Sequence, residues 1–153
     1  MKVSSKHMIS SYHQILNTKV IFNAKKTEGL EGFTKVTGDL TFDQVDINIG
    51  DGFDSSSGIF KAPLSGIYRM SFSGQSAAYL IDYTQIMVYK NGYPIFFITD
   101  GNEAEKADGN NVSYTWIMTL VEGDELKLKS VNYLYANIYI PLTFAGELIH
   151  IEN

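Results

Sequence analysis

The chain contains no cysteine. That removes disulfide frameworks, zinc–thiolate sites and cysteine nucleophiles together. It leaves the compartment open, because an extracellular domain with an adequate core can do without disulfides. Proline and tryptophan are also scarce, with three and one among 153 residues. No stretch reaches the roughly 18 uninterrupted apolar residues of a membrane span. The opening MKVSSKHMISSYHQ is polar and shows no signal peptide. Basic clusters are thin: Lys25-Lys26 stands alone, and 17 acidic against 12 basic residues give a net charge of −5. A nucleic-acid footprint needs clustered Lys and Arg, so no nucleic-acid partner is expected, and the charge reads as ordinary solubility. Helix signals are nearly absent; the one weak candidate is Ser10 to Leu16.

Catalytic signals are missing as well. The histidines are His7, His13 and His150, with no pair at metal spacing. No nucleophile elbow or phosphate-cradling loop appears. Gly50-Asp51-Gly52 reads as a turn, because no helical pattern follows it. No catalytic residue is assigned, and the chain is not expected to be an enzyme.

What is abundant is aromatic. Ten Tyr and nine Phe bring the aromatic content to 13% within a 44% hydrophobic chain. Such rings pack well on half-buried pleated surfaces. The length suits one domain, expected over 18–153, behind a flexible N-terminal segment or added leader at 1–17. Ile67 to Gly74 is the clearest strand: Tyr68, Met70 and Phe72 fall on one face, Arg69, Ser71 and Ser73 on the other. Asn91-Gly92 joins Tyr83–Lys90 to Tyr93–Thr99 in a predicted hairpin, since both residues tolerate positive φ. Further strands are expected at Lys19–Ala24, Leu40–Ile49, Ser113–Leu120, Glu125–Lys129, Ala136–Ile140 and Leu142–Ile151, with Glu122-Gly123-Asp124 as a turn and Pro63 and Pro141 at strand boundaries. Eight to ten short strands with turn signals between them predict an all-β antiparallel sandwich or barrel.

The spacing of Phe42, Asn48, Phe53, Phe60, Gly66, Tyr68 and Phe72 resembles the signature of the complement C1q globular-head family, within the tumour-necrosis-factor-like jelly rolls. Met70 departs from it, standing where an aromatic is usual. Lys61-Ala62-Pro63, Lys90-Asn91-Gly92, Glu122-Gly123-Asp124-Glu125 and Thr143-Phe144-Ala145-Gly146 extend the likeness, which runs from about Val20 to Ile151. The resemblance implies a ten-stranded jelly-roll β-sandwich assembled as a homotrimer. It further implies a secreted or surface-exposed recognition head that binds proteins, glycans, lipids or microbial surfaces. Pattern recognition in innate immunity is the reading preferred here. A signalling or adhesion ligand for a protein receptor, and a structural head capping a fibrous stalk, are the alternatives.

Three sets of site residues follow. Some family members hold calcium near the trimer axis with two Asp from one loop, and Asp100 and Asp108 look similar, with Glu103 and Glu105 between them. Calcium takes six to eight oxygen ligands; the alternative is a solvated acidic loop tip. Asn111-Val112-Ser113 is an N-glycosylation acceptor triplet. Tyr79, Tyr83, Tyr89 and Tyr93, and separately Tyr133, Tyr135 and Tyr139, are crowded in sequence. They suit core and subunit packing first and a ligand platform second. The ligand-binding residues themselves are not readable.

Overall fold

A computed structural model describes residues 18–76, 84–99 and 111–152. These residues contain eleven strands, all pairing antiparallel, and no helix. In chain order they are β1 (Ile21–Lys26), β2 (Thr34–Asp39), β3 (Gln44–Ile49), β4 (Phe53–Asp54), β5 (Ile59–Lys61), β6 (Gly66–Ser76), β7 (Gln85–Lys90), β8 (Tyr93–Thr99), β9 (Asn111–Leu120), β10 (Glu125–Ala136) and β11 (Leu142–Ile151).

Two layers follow from the pairing. One runs β3–β1–β11–β6–β9. In the other, β10 takes β7 and then β8 on one side and the short β2 and β5 on the other, with β4 beyond β5. The layers touch where the tip of β6 meets β10, Ser76 opposite Leu134. This is the jelly-roll sandwich that the family resemblance implies. The predicted alternation holds in β6: Tyr68, Met70 and Phe72 are buried, and Arg69 is exposed.

Phenylalanines form the core. Phe22 stacks on Phe53 and Phe60 at 4.9 and 4.6 Å, and Phe144 meets Phe22 edge-on at 5.0 Å. Burying each ring contributes about 1.5–3 kcal/mol. Leu126, Leu128, Ile86 and Val88 line the same core from the second layer.

Two expectations are corrected. Ala136–Ile140 is not a separate strand. β10 runs on to Ala136, and 137–140 is a reversal. Asn137 builds it: its Oδ1 accepts from the amides of Tyr139 (3.0 Å) and Ile140 (2.6 Å), which satisfies them without a ladder. The run Leu40–Ile49 shortens to β3, because Leu40 and Phe42 are core plugs ahead of the strand. β2 went unpredicted, since Thr34–Asp39 offers a single apolar residue, Val36.

The strand registers define two ends. Lys19 and Glu152 lie at one end, with the turns at 50–52, 91–92 and 121–124. The loops 27–33 and 137–141 lie at the other, about 30 Å away along ten-residue strands.

Candidate recognition surfaces

Three surfaces stand out among the described residues. The first is an open edge. Among the described residues β8 pairs only with β7, and β9 only with β6, so both strands end their layers there. Phe96 bridges the gap, edge-on to Trp116 at 5.3 Å and to Tyr114 at 5.7 Å, while Tyr114 and Trp116 stack at 5.9 Å. Beyond this cluster Tyr93 (75% exposed), Phe97 (50%) and Ile117 (59%) face solvent. Pro94 is tolerated within β8 because an edge strand can do without one amide, and a register shift falls at Val88/Tyr89 beside it.

The second surface is the outward face of the first layer. Ile21, Asn23, Ile47, Ser71 and Ala145 line a shallow hollow of about 240 Å³, with the Arg69–Glu147 ion pair (2.7 Å) at its rim. Asn23 Oδ1 is buried there and has no hydrogen-bond partner among the described residues. Such an orphan acceptor costs about 1–3 kcal/mol unless another molecule supplies a donor.

The third lies at the end opposite Lys19 and Glu152. Leu30, Phe33, Tyr133 and Tyr139 are all more than half exposed. The loop 27–33 is held to 137–141 by Ile138 N–H to Leu30 carbonyl (3.0 Å) and Asn137 Nδ2 to Glu31 carbonyl (3.0 Å). Beneath it Asp43 anchors the exit of β1. Burial pushes its carboxyl up, but hydrogen bonds from the Thr27 hydroxyl and the Thr27 and Glu28 amides outweigh that and hold it below the ordinary value.

The signature residues have definite tasks in this frame. Asn48 clamps the chain across the turn: its Nδ2 donates to the Phe53 carbonyl (2.9 Å), and its Oδ1 accepts from the Phe53 amide (3.2 Å). Tyr68 is fully buried and donates to the Leu64 carbonyl at 2.6 Å, and burial raises its phenol. Met70 packs against Gly146, where a Cβ would lie 2.7 Å from its methyl. Lys90-Asn91-Gly92 and the 122–125 turn form one clasp. Asn91 donates to Asp124 (2.9 Å) and accepts from the Glu125 amide (2.8 Å), while Asp124 accepts from the Val121 amide (2.8 Å).

A model of the C1q domain matches residues 20–149. The chain belongs to the C1q domain family. Mouse and human complement C1q tumor necrosis factor-related protein 3 are each 32% identical over 76% of this chain and 47% of their own length. Mouse collagen alpha-1(X) chain is 28% identical over 78% of this chain and 17% of its own. The chain thus spans less than half the length of the curated relatives it matches. Among solved structures, the globular domain of zebrafish complement 1qA protein overlays with a TM-score of 0.67 at 19% identity, covering 88% of this chain and 99% of that one. Murine APRIL at pH 5.0 overlays with a TM-score of 0.63 at 12% identity, covering 86% and 100%. Both establish the fold.

In this C1q domain the sequence-predicted sites divide. Asp100 and Asp108, with Glu103 and Glu105, lie outside the described residues, as do Tyr79, Tyr83, His7, His13 and the weak helix candidate. No cluster of three metal-ligating His, Asp or Glu side chains occurs among the described residues. Asn111 is exposed at the start of β9, opposite Gln75. His150 is exposed on β11. Tyr133 and Tyr139 do share the third surface, and Tyr93 belongs to the open edge. No helix among the described residues is long and apolar enough to cross a membrane. Sequence reading missed the open edge as a unit, because β8 and β9 belong to different layers and only the fold brings Phe96 onto Tyr114 and Trp116.

Proposed function

We propose that the chain is a non-enzymatic recognition head that acts as a homotrimer outside the cell. The observation that carries this reading is the open edge, with Phe97, Ile117 and Tyr93 exposed on two strands that each pair on one side only among the described residues. Unpaired edges with apolar side chains invite association and are normally covered. The edge and the hollow around Asn23 are different patches on one protomer. Contact between unlike patches is head-to-tail, which makes a ring when its rotation closes and a filament when it does not, and a neighbour's edge strand would bring a donor to Asn23 Oδ1. Membership of the C1q domain family supports three copies per ring. Three parallel heads convert weak single contacts into avidity through effective concentration.

Recognition of glycans or microbial surfaces is the preferred use, and the end that exposes Phe33, Tyr133 and Tyr139 is the face proposed for it. A signalling role, with a protein receptor as partner, is favoured by the likeness to complement C1q tumor necrosis factor-related protein 3. Glycan-array binding by the purified trimer supports the first; stoichiometric capture of one receptor ectodomain supports the second. Calcium at Asp100 and Asp108 and a glycan on Asn111 belong to the same proposal. A melting temperature unchanged between millimolar calcium and chelator would remove the first, and an unshifted mass after expression through a secretory pathway the second.

A further inference from the structure

The outward face of the second layer carries a hollow that this recognition reading leaves unused. β10 has β7 along one side and two short strands end to end along the other: β2 against Lys129–Ala136 and β5 against Glu125 and Leu126. Between those strands the ladder is reduced to one bond, the Leu40 amide to the Leu128 carbonyl (3.0 Å). The face is therefore a strand short beside Lys127. The resulting cavity of about 330 Å³ is lined by Asp39, Ile59, Tyr89, Glu125, Lys127 and Lys129. That volume falls at the lower end of small-molecule sites.

Its chemistry is mixed in an informative way. Tyr89, half-buried, lies directly opposite Lys127 in the β7–β10 register. Asp39 lies opposite Lys129, yet its carboxylate pairs diagonally with Lys127 Nζ at 2.9 Å. Lys129 is left exposed, with no ion pair among the described residues. Two ammonium groups and two carboxylates cancel, so neither an anion nor a cation gains net attraction. An apolar ligand would strip water from four charged groups without replacing their hydrogen bonds, which is costly. A ligand with an apolar C–H face and a rim of hydroxyls meets every demand: the ring of Tyr89 and the side chain of Ile59 take the face, carboxylates accept from hydroxyls and ammoniums donate to them.

We propose that this hollow binds one residue of a neutral saccharide. The inference rests on the reading of the chain as a recognition head and names the ligand class for one of its faces. Binding at a single hollow is weak, in the millimolar range typical of a small site with few buried contacts, on the order of 4 kcal/mol; the trimer supplies the remainder by avidity.

The test uses the purified oligomer and the neutral methyl glycosides of glucose, galactose, mannose and N-acetylglucosamine as probes, read by saturation-transfer NMR. At least one glycoside should receive transfer at its ring C–H protons. Tyr89→Ala should weaken it by about tenfold or more, and Lys129→Met, at an exposed position with little effect on folding, by several-fold. Absence of transfer to all four probes would overturn the proposal, as would binding that survives both substitutions. Preferential binding of methyl glucuronide, lost in Lys129→Met, would overturn the neutral-ligand assignment. Attachment of the oligomer to a polysaccharide-coated surface separates the two levels. If Tyr89→Ala attaches as well as the parent, the hollow fails and the recognition head stands; if neither attaches to any polysaccharide or receptor surface, the head reading itself fails.

Discussion

Gly66 shows how tightly single positions are fixed. A Cβ there would lie 2.2 Å from the His150 carbonyl oxygen and 2.6 Å from Leu148 Cδ1. The nearer obstacle is backbone held in the β6–β11 ladder, so it cannot swing aside. Gly66→Ala should therefore destabilise by about 1–3 kcal/mol, toward the upper end, and lower the melting temperature by roughly 5–10 °C at fixed protein concentration. An unchanged melt would mean that the ladder gives at this point. Asp124 sets a second residue-scale expectation. The Asn91 side chain, the Val121 amide and Lys90 (3.6 Å) hold its carboxyl below the ordinary value of 3.8 against the opposing effect of burial. Asp43 is lowered too. A folded value below the unfolded one means that the stabilisation is present above about pH 4 and is lost as pH falls through the folded values. Thermal melts should stay level from neutrality to about pH 5 and decline below pH 4. Asp124→Asn should lower the melt at pH 7 more than at pH 3; equal losses at both would show that its charge plays no part.

Elements were legible to the degree that their residues report on one face. β6 alternates cleanly, and Asn91-Gly92 takes φ of 52° and 81°, the mirror-image hairpin turn that its sequence demands. β2 was illegible because its stability comes from pairing with β10, far along the chain, and not from its own side chains. The hollow beside Tyr89 was illegible for the same reason. Glu125, Lys127 and Lys129 alternate in sequence, but only the registers with β2 and β7 bring Asp39 and Tyr89 to them. Ala136–Ile140 misled because its apolar residues match a strand pattern while Asn137 redirects the backbone. The junction of β3 and β4 offers an element-scale test. Asn48→Ala removes both side-chain bonds to the backbone of buried Phe53. It should cost about 1–3 kcal/mol, visible as a lower urea midpoint with an unchanged slope. A wild-type midpoint would show that water replaces the clamp at no cost.

For the molecule as a whole, shape and surface pull together. The sandwich closes its core with Phe22, Phe60, Phe72 and Phe144, yet among the described residues β8 and β9 are edges carrying rings. A protomer with that edge uncovered should associate, and the contact should depend on the edge. Phe97→Asp places a charge at a half-exposed position whose loss does not hollow the core. It should leave the β-sheet circular dichroism intact and release monomers. The measurement that bears most directly on the account is therefore light scattering on the size-exclusion peak of the unmodified chain, with Phe97→Asp run beside it. The unmodified chain should show a molar mass three times the 17.1 kDa of one chain, falling to one chain in the variant. A monomer at micromolar concentration, or a trimer indifferent to the substitution, would contradict it.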